Sequence, residues 1–157
     1  MYKQDKMDGT LKPFSYQTFK QFDGPAREAL KTYFESNGKK VVDNPWTEHE
    51  ADLWSPEAQC FIECEVLRTW KSGEYPSYYA HRLFERKRFY LDNERKANVI
   101  YYVLSADLTK AWWVDGSQLK EENLRDVSLK NYTPGDDKPK EKMFYFSKDV
   151  VHHINLV

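Results

Sequence analysis

The sequence predicts a single mixed α/β domain with a central sheet flanked by helices. Its 157 residues fit one domain with a core of its own. Apolar residues recur at helical spacing between residues 26 and 34, and a nearly continuous apolar run covers residues 98–104. Such a run is typical of a central strand that is buried on both faces. The predicted order, a helix, three strands, a second helix and further strands, is that of an α/β domain.

The first helix has recognisable limits. Residues 1–22 before it are expected to form an irregular or lightly paired segment. Pro25 is tolerated in the first turn of a helix, and Asn37 with Gly38 is a typical C-terminal stop. The apolar positions between these limits recur at helical spacing; they are Ala26, Leu30, Tyr33 and Phe34.

The rest of the chain divides into strands, loops and one further helix. Turn-prone residues such as Pro45 and Gly73 separate these elements. We expect strands at 41–42, 98–104, 110–114 and 143–146, and two acidic strands at 48–53 and 61–66. Between them we expect a loop at 70–76, a basic helix from 83 to about 92 and a solvated loop at 131–142. A helical turn is expected at 149–156.

Composition excludes several classes of protein. The mean hydropathy is −0.85, and no apolar run approaches the roughly 18 residues that span a bilayer. Residues 1–10 lack the apolar core of a signal peptide, so no membrane partner is expected. Cys60 and Cys64 would lie about 13 Å apart along a strand, too far for a disulfide, which favours a reducing, cytoplasmic setting. With a formal net charge of −1, nucleic-acid binding would require a local basic patch.

Carboxylates are concentrated in the two acidic strands. Because alternate side chains of a strand point to the same side, Glu48, Glu50 and Asp52 would share one face. Glu63 and Glu65 would likewise project together. Carboxylates repel one another, Glu is a poor strand former, and no Lys or Arg occupies the same faces, so a divalent-metal site is one interpretation. The other is a solvent-exposed sheet face, where Glu often fills the polar positions.

The order of motifs around these acids adds to the metal interpretation. After the first helix come an acidic strand, an acid-x-acid strand, a loop, a basic pair and an apolar strand; the residues are Asp52, Glu63-Cys64-Glu65, Trp70, Pro76, Arg86-Lys87 and 99–103. In this order, residues 23–115 resemble the PD-(D/E)XK nuclease superfamily and its small phage-type members, with a weaker match at 144–146. The resemblance implies a restriction-endonuclease-like core that hydrolyses DNA with bound Mg²⁺ or Mn²⁺, in a phage-encoded protein of a bacterial host.

The resemblance implies a role for each matching acid. Asp52 matches the first metal-binding Asp, and Glu63 matches the acid that begins the paired motif. Glu65 stands where the family usually has Lys, although some restriction-enzyme members have Glu there; it would be a third metal ligand or a general base. In a second register, Glu65 is the acid and Leu67 takes the lysine position, which implies lost or altered catalysis. Lys71 is a candidate replacement for the missing amine.

Two further acids are candidates for accessory roles. Glu28 on the first helix matches the accessory acid that many family members carry there. Glu50 lies on the same predicted face as Asp52. For Glu28 the alternative is a solvated helix face, shared with Lys31.

Arg82, Arg86 and Lys87 are the expected phosphate contacts. They belong to residues 82–96, where Lys and Arg outnumber the acids, and such contacts position a nucleic acid without reading its sequence. The alternative is a solvated charged helix face. DNA is the expected partner, and a homodimer is expected by analogy with the superfamily. Two other functions stay open: an inactive nuclease-like DNA-binding protein, and a structural or host-interaction protein.

The histidines and cysteines predict no second metal site. Adjacent His152 and His153 would point apart, and Cys60 and Cys64 have no histidine pair at zinc spacing nearby. We expect the histidines to be packed or exposed and the cysteines to be buried thiols.

Overall fold

The core of the described part of the chain has three layers: a helix, a six-stranded sheet and a three-stranded sheet. The structure, a computed structural model, describes residues 2–5, 10–13, 23–46, 51–91, 98–127 and 141–157. In these ranges the strands are β1 (Tyr2–Asp5), β2 (Thr10–Pro13), β3 (Val42–Asp43), β4 (Leu53–Ser55), β5 (Cys60–Leu67), β6 (His81–Phe84), β7 (Asn98–Ser105), β8 (Lys110–Asp115), β9 (Leu124–Val127), β10 (Glu141–Phe146) and β11 (His152–Asn155). The helical elements are α1 (Gly24–Ser36) and the 3₁₀ helices Glu85–Leu91, Gly116–Gln118, Glu121–Asn123 and Lys148–Val150.

The six-stranded sheet has the order β11-β8-β7-β5-β4-β3. Its centre is the parallel pair β5 and β7, in which Phe61 lies opposite Val99, and its other neighbouring strands are antiparallel. Parallel neighbours need a crossover connection, and this crossover contains β6 and the 3₁₀ helix Glu85–Leu91. The mixed α/β class and the central apolar strand are therefore confirmed.

α1 covers one face of the six-stranded sheet. Its side chains Ala26 and Leu30 are 1% and 0% exposed and pack against β4, β5 and β7. The helix has Pro25 in its first turn and is followed by Gly38 at φ +75°, a left-handed conformation that glycine adopts without strain. Both limits agree with the prediction. No helix in the described part of the chain has the length and apolar character needed to cross a membrane.

The three-stranded sheet, in the order β6-β10-β9, covers the opposite face. Leu83 of β6 pairs with β10 and packs into the core beneath the sheet. The predicted basic helix from residue 83 to about 92 is present in part: residues 83 and 84 belong to β6, and the helix that follows, Glu85–Leu91, is 3₁₀. The physical reason is alternation: buried His81 and Leu83 flank exposed Arg82, as in a half-buried strand.

Other predictions differ in extent. In the described residues, helices do not flank both sheet faces, because the three-stranded sheet covers the second one. β10 begins at Glu141 rather than Met143, and the predicted terminal helical turn is a 3₁₀ turn, Lys148–Val150, followed by β11. Most of the predicted solvated loop, and residues 48–50 of the first acidic strand, lie outside the described ranges. The rest of that predicted strand is corrected, because Asp52 lies in a bend and β4 begins only at Leu53. β1 and β2 form an antiparallel pair, in line with the light pairing expected there.

Candidate active site

Asp52 lies where the β4–β5 ladder ends. It occupies a bend directly before β4, beside the part of β5 that continues past the ladder. Its Oδ1 accepts a hydrogen bond from the Arg27 guanidinium at 2.9 Å, and its Oδ2 accepts one from the Cys64 backbone N–H at 3.0 Å. The carboxylate thus satisfies a backbone donor that β4 no longer reaches. Asp52 therefore joins α1 to β5.

Glu63 and Glu65 project together from β5, as strand alternation predicts. The Lys87 ammonium Nζ lies 3.9 Å from Glu63 Oε2 and 3.6 Å from Glu65 Oε2. Glu63 is 3% exposed, whereas the Glu65 side chain is 35% exposed. The Lys87 carbonyl accepts a hydrogen bond from the Tyr101 hydroxyl of β7 at 2.6 Å. The crossover between β5 and β7 therefore places a lysine beside both glutamates. We call Arg27, Asp52, Glu63, Glu65 and Lys87 the acid cluster.

Electrostatic attraction keeps both cations of the acid cluster charged. Burial alone would lower the pKa of Lys87. The attraction of Glu63, Glu65 and Asp52 outweighs burial and raises this pKa above the ordinary lysine value. Burial also opposes the charge on Arg27, and the contact with Asp52 again raises the pKa. At neutral pH the cluster therefore holds an ammonium and a guanidinium beside three carboxyl groups.

These cations change the interpretation of the acidic strands. No Lys or Arg lies on the predicted strand faces, but α1 supplies Arg27 and the crossover supplies Lys87. Buried charges are tolerated when they are paired, so these residues offset the repulsion that the sequence leaves uncompensated. The alternative of a solvent-exposed face is wrong for Glu63, which is buried.

The carboxylate oxygens of the acid cluster are of the type that Mg²⁺ and Mn²⁺ prefer. Among the described residues, no group of three or more His, Cys, Asp or Glu side chains is arranged to hold a metal ion. The predicted three-ligand set of Asp52, Glu63 and Glu65 is therefore not formed. Mg²⁺ often takes one or two carboxylates and completes its shell with water, and each carboxylate oxygen has a second lone pair. Asp52 and Glu63 are the candidate ligands for a site of this smaller kind.

Three other predicted site residues do not join the acid cluster. Glu28 is exposed on α1 and pairs with Lys31 at 3.3 Å, which agrees with the solvated-face alternative. Lys71 is exposed, its carbonyl accepts a backbone N–H from the turn after β7, and it forms no ion pair with either glutamate of the cluster. Glu50 lies outside the described residues.

The predicted phosphate contacts differ in how far they reach solvent. Arg82 is exposed and donates a hydrogen bond to the Tyr145 hydroxyl at 3.0 Å. Arg86 pairs with Glu141 at 3.0 Å, and its side chain is 15% exposed. Lys87 is engaged with the acid cluster. Of these three residues, Arg82 is the one that presents its charge at the surface.

Sequence reasoning missed Arg27 and assigned Lys87 to phosphate contact. Neither residue shares a strand with the acids, so no alternation pattern connects them. For Lys87, chain order was the available signal, since a basic pair follows the acid-x-acid strand.

No protein-family model matches this chain, and neither does any curated protein or solved structure. Any functional assignment therefore rests on the residues of the acid cluster.

Proposed function

We propose that this protein is a metal-dependent nuclease that hydrolyses DNA phosphodiester bonds at the acid cluster. The observation that carries the proposal is the position of the Lys87 ammonium within 4 Å of both glutamates of β5. Asp52 is close enough to contribute to its raised pKa. An Asp, a strand Glu and a lysine amine are the groups that the resemblance to PD-(D/E)XK nucleases requires at one point.

The order of elements supports the same superfamily at the level of the fold. α1 is followed by the Asp52 bend, the acid-x-acid strand β5, the crossover with Arg86-Lys87 and the parallel strand β7. The departure is the 3₁₀ helix, which stands where the resemblance implies an α-helix. A restriction-endonuclease-like core is therefore part of the proposal.

Lys87 supplies the amine that is missing at the position of Glu65. Glu65 keeps its place on β5, and the ammonium reaches the acids from the crossover instead. Lys71 is the alternative source of an amine, but it is exposed and unpaired with the cluster glutamates. Lys87 is therefore the better candidate for the lysine role.

Hydrolysis would divide the roles among the residues of the acid cluster. Asp52 and Glu63 would hold a divalent ion, which supplies a water of lowered pKa and offsets the phosphate charge. Glu65, the more exposed glutamate, accepts a proton from the attacking water. The water oxygen bonds to phosphorus as one ester P–O bond breaks, and the leaving oxygen takes a proton from solvent. The Lys87 ammonium stabilises the negative charge that develops on the phosphoryl oxygens.

Cleavage of DNA in the presence of Mg²⁺ or Mn²⁺ tests this proposal. Wild type, Asp52→Ala and Glu28→Gln are incubated with plasmid and oligonucleotide DNA. We expect Asp52→Ala to lose cleavage by at least about a hundredfold, the scale for losing a group that acts in the reaction. Glu28→Gln removes an exposed acid outside the cluster and should cleave normally. Undiminished cleavage by Asp52→Ala would overturn the assignment.

An inactive nuclease-like DNA-binding protein is the second candidate. One observation favours it: both carboxylate oxygens of Asp52 already accept hydrogen bonds, from Arg27 and from the Cys64 N–H. The same assay separates the two candidates. Wild-type protein that shifts DNA in a gel but leaves it uncut in either metal supports this second candidate.

A further inference from the structure

His81 and His153 meet at the boundary between the two sheets. His81 begins β6 in the three-stranded sheet, and His153 lies in β11 at the edge of the six-stranded sheet. Their Nε2 atoms are 3.0 Å apart, although the residues are 72 positions apart in the chain. His81 is 6% exposed. The pair is therefore a tertiary contact with one buried member.

Aromatic side chains hold the His81 ring in position. The Tyr75 ring stacks on it at a centroid distance of 4.6 Å, and the Trp112 ring meets it edge-on at 5.1 Å. The His153 ring lies 5.9 Å from the same Tyr75 ring. Packing of this kind limits the rotamers available to the His81 side chain, and it holds the Nε2 atom of His81 next to His153.

A cavity of about 240 Å³ gives access to the pair. Both histidines line it, together with Glu74 and Lys148. Burial, His153 and Lys148 lower the pKa of His81 to about 4, and burial lowers the pKa of His153 against the attraction of Glu74. Both rings are therefore neutral at pH 7, which is the form in which imidazole binds metals.

We propose that His81 and His153 form a two-histidine site for a divalent transition-metal ion. Metal–imidazole distances are about 2.0–2.1 Å, so Nε2 atoms 3.0 Å apart subtend an angle of about 95° at a shared ion. This is close to the angle between neighbouring ligands of Ni²⁺ or Cu²⁺ in octahedral or tetragonal geometry. Tetrahedral Zn²⁺ would need a separation of about 3.3 Å, a small movement.

The remaining positions on the ion would be filled by water. The described residues contain no further His, Cys, Asp or Glu that completes a group of three around this pair. On binding, the ring that carries the Nε2 proton changes tautomer: it releases this proton to solvent and takes one up at Nδ1, so that both neutral rings donate an Nε2 lone pair to the ion. Imidazole donors select transition metals, whereas the carboxylates of the acid cluster select Mg²⁺ or Mn²⁺. The histidine site is thus independent of the proposed nuclease function.

A bound ion would link the two sheets. His81 and His153 come from different sheets, so an ion that binds both is bound only by the folded protein. Ligands that bind only the folded state raise its stability by mass action. The metal should therefore raise the melting temperature of the protein.

Titration with Ni²⁺ at pH 7.5 tests the proposal on the full chain. Calorimetry should show one ion bound to the wild type and an affinity at least about tenfold lower, or about 1.4 kcal/mol, for His153→Ala. His152→Ala is the matched control, because its ring stacks on Trp113 on the other side of β11. This variant should bind like the wild type. Lys148→Ala removes a positive charge from the cavity and should bind more tightly.

Thermal unfolding provides the second readout. Ni²⁺ should raise the melting temperature of the wild type and of His152→Ala, and a chelator should reverse the effect. The melting temperature of His153→Ala should not respond. The proposal fails if the wild type binds no Ni²⁺ up to about 1 mM, or if His153→Ala binds it as tightly as the wild type. Asp52→Ala should bind Ni²⁺ normally whether or not the chain cuts DNA, so the two proposals can fail separately.

Discussion

Lys87 is a residue on which both stability and the proposed chemistry depend. Its side chain is 16% exposed and faces two glutamates, of which Glu63 is buried. When one partner of a buried ion pair is removed, the remaining charge stays in a poorly solvated site, which is costly. Lys71, an exposed lysine in the loop after β5, offers a direct comparison. The two lysines can therefore be tested with the same substitution.

Lys87→Met keeps the aliphatic stem and removes the charge. We expect the free energy of unfolding to fall by an amount on the order of 3 kcal/mol, because Glu63 loses its cation. Chemical denaturation measures this loss, and the DNA assay should show that cleavage is also lost. Lys71→Met should stay within about 0.5 kcal/mol of the wild type and keep the wild-type cleavage rate.

A double variant checks that the effect of Lys87→Met comes from the ion pair. Adding Glu63→Gln removes the unpaired charge and should restore much of the lost stability. A double variant that loses the sum of the two single losses would contradict the pairing.

His81 makes stability depend on pH. Its pKa in the folded protein is lowered to about 4, chiefly by burial, whereas histidine in an unfolded chain has a pKa near 6.5. Folding therefore favours the neutral ring. Its contribution, at most about 3 kcal/mol, is complete above pH 6.5 and is lost as the pH falls toward 4. Denaturation at pH 7 and pH 5 should show a loss in the wild type and a smaller loss in His81→Phe.

His152→Gln is the control for this pH effect. Its ring lies on the other side of β11, stacked on Trp113, and its loss of stability between pH 7 and pH 5 should equal that of the wild type. If His81→Phe also loses as much as the wild type, another group is responsible for the acid sensitivity.

At the level of elements, β6 shows how pairing can override a local helical pattern. Its last two residues, Leu83 and Phe84, begin the predicted helix, yet the ladder with β10 places Leu83 opposite Phe144 in the core. β6 therefore forms one edge of the second sheet, and Lys87, in the 3₁₀ helix after it, lies beside Glu63 and Glu65 of β5. Position in the crossover, rather than helix type, is what brings the amine to the acids.

Leu83→Ala tests the packing of β6. The side chain is 1% exposed, so its truncation should lower the free energy of unfolding by about 2–5 kcal/mol through lost burial and a residual cavity. Tyr78→Ala is the control, because this tyrosine is 82% exposed and should change stability little. A loss below about 1 kcal/mol for Leu83→Ala would argue against β6 as a core strand.

At the scale of the whole molecule, the acid cluster and the histidine pair lie at two different contacts between elements. The acid cluster lies where α1, β5 and the crossover meet. The histidine pair lies where β6 of one sheet meets β11 of the other. The first offers carboxylate oxygens with two cations, and the second offers two neutral imidazoles. Their different chemistry allows each to be tested with a different metal.

Local patterns in the chain were enough to predict α1, the central strand β7 and the common direction of Glu63 and Glu65. These features depend on residues a few positions apart, and the 3.6-residue and two-residue periods express them directly. The limits of β10 and the nature of β6 were predicted less well, because pairing with a distant strand decided them.

The partners of the acids and the histidine pair followed from the folded chain alone. Arg27 and Asp52 are 25 positions apart, and His81 and His153 are 72 apart. No period in the sequence links residues at such distances, because sheet order and the parallel crossover determine which of them meet. The sequence therefore identified the acids, whereas the tertiary structure determined that Lys87 and Arg27 neutralise them.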